Sequence, residues 1–347
     1  MPKLLNMIYH THIKRIIISL MFSLFSLQAY SLEYTLACGS LQETGVSVKP
    51  ALLLSGGADT KSPDEKAATQ WLLKQADKGD YLVIRAGGLG KQAKWICNNF
   101  SPLISSASEV SIDSQADANH PAIVRLIESA EVIWIAGGDQ TLYSNYWKGT
   151  ALAKALNKHL VKKAVGGTSA GMAILGDYYY APRNKAVVGS ELLNNPYHVK
   201  SQDLFHGDLL KHPFLSNVIN ETHVDRKIKG ETRHSRAFGL LARISASGAA
   251  NKAIALYEGS FLAVDELGRG KVFGHRALFL RALSVPENMQ EKDSLKWNNQ
   301  GEAVQVFNIA GSSQGNGDID LINWTFNSTQ PTHWFTNDGY TGLKTPL

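Results

Sequence analysis

Short apolar segments that alternate with amphipathic ones, from residue 50 onward, constrain the fold of this chain more than any other feature. Residues 51–54, 81–86 and 132–136 are almost entirely apolar and show no alternation with polar positions. Strands of this kind are covered by helices on both faces, and their alternation with helices is typical of βα units in a parallel sheet. The pattern therefore predicts an α/β fold with a mainly parallel sheet.

The predicted elements keep this rhythm up to about residue 176 and become less regular afterwards. The tail from Pro286 is polar and weakly β. We expect one catalytic domain over residues 32–285, with residues 286–347 packed on it as extra strands. Strands are predicted at 51–54, 81–86, 108–113, 132–136, 161–165, 253–257, 261–265 and 271–273, and helices at 63–78, 121–130, 140–160 and 236–243.

The first 31 residues have the composition of a secretory signal peptide. Two basic residues precede an apolar run over residues 16–27, and Ala29 and Ser31 place small residues two apart. So short a run spans a bilayer poorly, which favours a cleaved signal over an uncleaved anchor. The sequence therefore predicts an exported protein, periplasmic or extracellular, without stable membrane association once the signal is removed.

The net charge of the chain bears on whether it binds nucleic acid. The chain carries +5, and removing the first 31 residues takes away three basic residues and no acid, which leaves +2. A charge this small, without a clustered basic stripe, argues against a nucleic-acid partner. A homodimer is compatible with the sequence, which does not determine the oligomeric state.

Cysteine and histidine spacing gives no sign of a metal site. Cys38 and Cys97 are the only cysteines, and in an oxidising compartment they either form one disulfide or remain as unpaired thiols. The eleven histidines show no His-Glu-x-x-His or other paired spacing. We therefore expect neither a metal nor an organic cofactor.

The segment Gly167-Thr168-Ser169-Ala170-Gly171 lies between a predicted strand and a predicted helix. A strand-to-helix turn this tight needs flanking glycines and leaves the central hydroxyl exposed above the sheet. The backbone N–H of Ala170, at the start of the helix, is then a natural donor to an oxyanion. Ser169 is therefore a candidate nucleophile, and an ordinary glycine-rich turn is the alternative.

A second glycine turn, Gly137-Gly138-Asp139-Gln140, ends the strand that precedes this one in the chain. Because ligands bind at the carboxyl ends of parallel strands, we expect this turn to face Ser169 across a crevice. Gly138 could then offer a second oxyanion N–H and Gln140 a polar contact to substrate. In the alternative interpretation, Asp139 simply caps the following helix.

A nucleophilic serine needs a base, and the base needs an acid to orient it. His223 ends an apolar, strand-like run and is the candidate base. Glu258 ends a later strand in the same way, but Glu221 and Asp265 are rivals, and spacing alone does not choose among the three.

Two alternatives to a hydrolase remain at this point. Residues 88–93 match the Gly-x-Gly-x-x-Ala pattern of dinucleotide-binding turns, and Asp113 follows at about the right distance. A protein that keeps the fold but only binds its ligand is the second alternative, because a sequence does not show whether side chains converge.

Taken together, these segments resemble the serine-peptidase family that contains cyanophycinase and peptidase E. The resemblance implies a flavodoxin-like three-layer sandwich, related to class I glutamine amidotransferases. It also implies a triad of Ser169, His223 and Glu258 that works through an acyl-enzyme. The matching segments are residues 136–140, 166–171, 195–197, 221–223 with Arg226, Arg233 and Arg236 downstream, 257–259, and 264–265.

The same resemblance places Gln140, Glu221 and Arg226 at the substrate. It implies cleavage of aspartyl-linked peptides, including the β-Asp-Arg units of cyanophycin, with Asp-X or isoaspartyl dipeptides as the alternative substrates. The chain departs from the family at Glu221, where an aspartate is common, and at Val224, which replaces an aromatic residue. Residues 227–231 also expand the arginine-rich segment, so the departures concern substrate preference.

Overall fold

The computed structural model describes residues 32–41, 46–57, 62–248, 251–327 and 329–344. From Glu33 onward they belong to one compact unit. The predicted signal peptide lies outside the described residues. No helix among the described residues is both long and apolar enough to cross a membrane.

The strands belong to two sheets. Their bounds, in chain order, are β1 (Tyr34–Gly39), β2 (Ala51–Ser55), β3 (Asp80–Arg85), β4 (Ser106–Ser111), β5 (Val132–Ile135), β6 (Ala164–Thr168), β7 (Tyr178–Tyr180), β8 (Leu204–His206), β9 (Val218–Glu221), β10 (Lys252–Leu256), β11 (Ser260–Val264), β12 (Arg269–Gly274), β13 (Arg276–Ala282), β14 (Val304–Ala310), β15 (Asn316–Asp320), β16 (Thr325–Phe326) and β17 (Thr332–Trp334).

The helices are short, and most of them connect strands of the first sheet. In chain order they are α1 (Pro63–Leu73), α2 (Gln92–Phe100), α3 (Gln115–Ala118), α4 (Pro121–Ser129), α5 (Gln140–Trp147), α6 (Ala151–Lys162), α7 (Ala170–Ala173), α8 (Gly189–Asn194) and α9 (His234–Ile244).

The first sheet has the order β1-β4-β3-β5-β6-β2-β11-β12-β15-β16. Its centre, from β4 to β2, is parallel, as the apolar segments predict, and its flanking strands are antiparallel. Every residue of β2 is buried. Helices α1 and α2 pack in one cluster with Leu53, Val83 and Trp134 on one face. The mixed α/β, flavodoxin-like fold class is therefore confirmed.

The second sheet was not predicted as a separate layer. Its order is β17-β14-β13-β10-β9-β7-β8, and only β10, β9 and β7 run parallel to one another. Helix α9 packs on it through a buried cluster that includes Phe238, Leu241 and Trp297. Strands β14 and β17 come from the C-terminal tail, which thus extends the core with strands. The bounds proposed from the sequence for the catalytic domain, 32–285, and for its C-terminal extension, 286–347, stay a prediction.

Several local predictions differ from the structure; the helix predicted at 63–78, for example, ends at Leu73. The single helix predicted at 140–160 is two helices, because Gly149 adopts φ 76° between α5 and α6. The strand predicted at 161–165 is Ala164–Thr168, since α6 continues to Lys162 and leaves Val161 exposed. Helix α2 was not predicted at all, although its buried face of Ala93, Ile96 and Phe100 has helical spacing.

Candidate active site

Ser169 lies in a sharp turn between β6 and α7. Its backbone adopts φ 51° and ψ −115°, a strained conformation for a residue with a side chain. A Cβ on Gly171 would come within 2.1 Å of the carbonyl oxygen of Ile135, and one on Gly167 would come within 2.7 Å of Gly171. The two glycines are therefore required, because they allow the turn to pack this tightly beside β5.

Two side chains carried by strands of the second sheet form a hydrogen-bonded chain that ends at the hydroxyl of Ser169. Nε2 of His223 lies 2.8 Å from Oγ of Ser169, and Nδ1 of the same ring lies 3.2 Å from Oε1 of Glu258. His223 follows β9 and Glu258 follows β10, two adjacent parallel strands. A hydroxyl, an imidazole and a carboxylate in this order form the arrangement that activates a serine for nucleophilic attack.

The turn after β2 contacts both of the segments that deliver these side chains. The carbonyl of Gly56 accepts a hydrogen bond from the amide of His223 (2.8 Å), and that of Gly57 accepts one from Gly259 (2.7 Å). Gly57 has φ 139°, and the imidazole of His223 lies where its Cβ would be. The first sheet thus supports the imidazole directly.

The surroundings of the His223 imidazole favour its neutral form. Burial lowers its pKa below the usual value and the nearby guanidinium of Arg233 lowers it further, while Glu258 acts in the opposite direction. A general base has to be unprotonated to accept a proton from the hydroxyl. The environment therefore keeps His223 competent as a base at neutral pH.

Backbone amides near the hydroxyl are arranged to receive negative charge. Ala170 is the first residue of α7, where the N–H has no partner within the helix. Gly138 lies on the neighbouring turn, where a Cβ on Gly137 would be 3.4 Å from the Cβ of Ser169. Asp139 does cap α5, by accepting from the amide of Thr141 at 2.8 Å. The cap on α5 and an exposed Gly138 are thus compatible in one turn.

A polar cleft of about 360 Å³ opens beside Ser169. Glu221 is buried in its wall and receives hydrogen bonds from Nε (2.9 Å) and Nη2 of Arg236. Arg233 lies next to this pair and donates to the carbonyl of Thr222 at 2.9 Å, while its buried Nε has no partner among the described residues. The cleft lining also includes Gly138, Asp139, Gln140, Tyr180, Asn220, His223 and Arg226.

The predicted site residues converge, with two refinements. Gln140 lines the cleft, but its amide donates to the carbonyl of Tyr180 at 3.2 Å and so supports the cleft wall. Glu221 also lines the cleft, yet Arg236 already occupies its carboxylate. Arg226 lines the cleft with an exposed side chain.

The rival acids do not reach the imidazole. Asp265 caps the β11–β12 turn, where it accepts from the amides of Leu267 and Arg269. Glu221 is paired with Arg236. Glu258 is therefore the carboxylate that contacts His223.

The turn that resembles a dinucleotide fingerprint is already filled by the chain's own side chains. Asp113 accepts from the amide of Gly87 (2.5 Å), and Ser111 from that of Gly88 (2.9 Å). The buried carboxylate of Glu109 accepts from Gly90 at 2.7 Å. A pyrophosphate needs these N–H groups for itself, so the geometry gives this alternative no support.

Three residues of the site were not recognised as such in the sequence. Gly57 was not singled out in the sequence, although a glycine pair after a buried strand could have indicated it. Asn220 donates to the carbonyl of Met172 at 2.8 Å and so connects β9 to the helix behind Ser169. Asp225 lies two residues after His223 and contacts the segment of Glu258. No local pattern marks the last two.

The fold and the arrangement around Ser169 are those of a serine-type peptidase, a hydrolase. The model of peptidase family S51 matches residues 51–267, and the chain belongs to this family. The family resemblance suggested by the sequence is thereby confirmed.

Two solved structures are also similar to the chain. A peptidase from an acI-B1 actinobacterium is 16% identical, with a TM-score of 0.47 over 66% of this chain and 89% of the other. A candidate peptidase E protein from Listeria monocytogenes EGD-e is 11% identical, with a TM-score of 0.39 over 63% and 95%. No curated protein matches the chain significantly.

Proposed function

We propose that this S51 peptidase cleaves aspartyl-linked peptides through an acyl-enzyme formed on Ser169, with His223 as base and Glu258 as acid. The contact of 2.8 Å between Nε2 of His223 and Oγ of Ser169 carries the proposal. It lies within the range in which a base takes a proton from a hydroxyl, and Glu258 occupies the other ring nitrogen.

In the first step His223 takes the hydroxyl proton while Oγ of Ser169 attacks the amide carbonyl. The oxyanion then accepts hydrogen bonds from the N–H groups of Ala170 and Gly138. His223 gives its proton to the leaving amine, and the C–N bond breaks. In the second step the same imidazole takes a proton from the water that attacks the ester. It then returns this proton to Oγ of Ser169 as the ester C–O bond breaks and the acid is released.

The charges in the cleft support an acidic or zwitterionic substrate. Arg226 is exposed at the cleft, and Arg233 has a buried donor without a partner. Arg236 occupies the carboxylate of Glu221 and leaves Arg233 only a long contact of 3.9 Å with it, so Arg226 and Arg233 are the guanidinium groups best placed to receive a substrate carboxylate. Together with the family resemblance, this favours a cyanophycinase-like specificity for β-linked Asp-Arg units.

A substrate panel with Ser169→Ala tests the proposal. We expect the wild-type protein to hydrolyse cyanophycin or a β-Asp-Arg dipeptide faster than isoaspartyl and Asp-X dipeptides, and to react with a fluorophosphonate label. Ser169→Ala should fold normally and lose both turnover and labelling, whereas Ser129→Ala, an exposed residue that ends α4, should keep both. Turnover of the Ser169→Ala protein at more than a trace would contradict the assignment.

We also propose that the protein is exported. Cys38 and Cys97 form a disulfide, and such bonds persist in oxidising compartments. N-terminal sequencing of the protein from a periplasmic or culture fraction should give a mature chain that begins near residue 32. Recovery of the full-length chain from the cytoplasm, with both thiols reduced, would contradict export.

A further inference from the structure

The turn that follows His223 is fixed to the end of β10. In this turn the amide of Arg226 donates a hydrogen bond to the carbonyl of His223 at 3.0 Å, and Val224 and Asp225 lie between them. Val224 is fully buried in the core of the second sheet, and its amide donates to the carbonyl of Leu256 at 3.2 Å. The base therefore lies on a turn whose backbone does not move independently of β10.

Asp225 makes a second connection between the two segments. Its Oδ1 accepts a hydrogen bond from the backbone N–H of Glu258 at 2.9 Å. The side chain of Glu258 itself is 51% exposed, and its contact with Nδ1 of His223 is the one hydrogen bond that the described residues give to its carboxylate. A carboxylate with so little packing depends on its backbone for its position.

We propose that Asp225 is a positioning residue, which acts by binding the amide of Glu258 and thereby setting the distance between that carboxylate and the imidazole of His223. The inference rests on the proposed triad. Asp225 does not line the cleft, and among the described residues its hydrogen bond from the amide of Glu258 is the one that connects its side chain to the proposed triad. Its charge also acts on His234 and Tyr257, which lie outside the triad.

The position of Glu258 has a measurable consequence for His223. The charged groups that face the imidazole are Glu258, Arg233 and Arg226, and among them only the carboxylate raises the pKa of the ring. If Asp225 no longer fixes the amide of Glu258, this contribution weakens and the pKa of His223 falls further. The acid limb of kcat/KM, which follows protonation of the free base, then moves to lower pH.

The experiment combines Asp225→Ala and Asp225→Asn with Glu258→Ala. Asp225→Ala should lower kcat by about 10-fold or more, since misplacement by an ångström has effects of this size. Asp225→Asn keeps a carbonyl acceptor for the amide and should recover most of the loss. In the Glu258→Ala background, Asp225→Ala should change kcat by less than about 2-fold, because both act on one contact.

Asp265→Ala is the matched control, since Asp265 also accepts from backbone amides in an exposed turn, at the other end of β11. It should leave kcat and the acid limb unchanged. An equal loss of kcat from Asp225→Ala with and without Glu258, or no loss at all, would overturn the inference while the triad stands.

A second measurement does not depend on turnover. An NMR titration of the His223 imidazole, assigned with a His223→Gln protein, should show a lower pKa in Asp225→Ala than in wild type or Asp265→Ala. If the wild type proves inactive and this shift is seen, the proposed function fails and the positioning role of Asp225 stands. An unchanged titration in Asp225→Ala refutes the role of Asp225 whatever the activity.

Discussion

At the scale of single residues, Gly57 determines where the imidazole of His223 can lie. A Cβ at this position would be 2.2 Å from Cε1 and 2.4 Å from Nδ1 of the ring, far inside van der Waals contact. The neighbouring residue Gly56 binds the amide of His223, so the backbone of the base cannot withdraw to make room. The imidazole of His223 would have to move instead, away from Ser169.

We therefore expect Gly57→Ala to lower kcat by about 100-fold, because the ring would lose its contact of 2.8 Å with Oγ of Ser169. Steady-state kinetics and thermal unfolding of the purified variant measure the two effects separately. Gly149→Ala is the control: it also has positive φ, at 76°, but no atom lies within 4 Å of its Cβ position. It should lose stability through backbone strain and keep its kcat, and an equal fall in kcat for both variants would contradict the steric explanation.

The sequence allowed prediction of those residues whose role follows from a local sequence pattern. Ser169 was found from its flanking glycines and its place between a strand and a helix. The choice of Glu258 over Glu221 and Asp265 came only from family resemblance, because all three end a strand or begin a turn. Gly57 and Asp225 escaped prediction since their roles depend on contacts with residues 166 and 33 positions away.

At the scale of elements, a buried ion pair connects α9 to β9. Glu221 ends β9 and Arg236 lies in the first turn of α9, with side-chain exposures of 4% and 9%. Helix α9 also packs on the second sheet through its apolar face. Since β9 carries the segment that delivers His223, this pair contributes to the position of the base as well as to the cleft wall.

Arg236→Met should lower the free energy of unfolding by about 3–5 kcal/mol, because it leaves a buried carboxylate without its partner. Arg233, 3.9 Å from Glu221, offsets only part of this loss. Urea unfolding measures the effect, and adding Glu221→Gln should restore much of the stability. Lys49→Met, which removes the exposed pair with Glu266, should change stability by less than about 0.5 kcal/mol. Equal effects of the two substitutions would contradict a role for burial.

Element boundaries were less predictable than element types. The apolar residues of α6 and β6 follow one another closely, so the pattern alone placed the strand three residues too early. One glycine, Gly149, divides the predicted helix at 140–160 into α5 and α6, although a single glycine inside a helical pattern is often tolerated. Both errors arise because packing against other elements decides where a helix ends.

At the scale of the whole molecule, a disulfide connects the edge of the first sheet to its helical layer. Cys38 on β1 is bonded to Cys97 on α2, 59 residues apart in sequence. Strand β1 is four positions from β6 in the sheet order, a distance of about 19 Å at the usual strand spacing. We therefore expect the bond to affect stability without contacting the proposed catalytic residues.

The double variant Cys38→Ser, Cys97→Ser should unfold with a free energy about 2–4 kcal/mol lower than wild type and keep its kcat. The reason is the loop-closure entropy that the unfolded chain regains. Urea unfolding with and without reductant gives the comparison: the reduced wild type should match the double variant. A fall in kcat without loss of stability would show that the bond acts on the site instead.

The second sheet could not be predicted from the sequence, although its strand β10 was. Whether a strand pairs with β9 or joins the first sheet depends on contacts between distant segments, and a single sequence does not display them. Yet this layer supplies both His223 and Glu258. The proposed triad is assembled between two sheets, because Ser169 follows a strand of the first sheet and its partners follow strands of the second.

Two buried histidines outside the site should make the stability of the protein sensitive to acid. Burial lowers the pKa of His159 to about 4 and that of His212 to about 3. In the unfolded chain both titrate near 6.5, so between that pH and their folded values the unfolded state binds more protons. Their contribution to stability is complete above pH 6.5 and is lost progressively as the pH falls.

As the pH falls from 6.5 to its folded pKa, each of these histidines should lower the free energy of unfolding by up to about 1.4 kcal/mol per pH unit. His159→Gln and His212→Asn remove the titration. Gln retains a donor for the carbonyl of Ala164, and Asn an acceptor for the amide of Phe214. Urea unfolding at pH 7, 6 and 5 should show a shallower loss of stability for the double variant than for wild type. If the free energy of unfolding falls with pH equally in the double variant and the wild type, other groups cause the acid sensitivity. Folding would then not lower the pKa of either histidine.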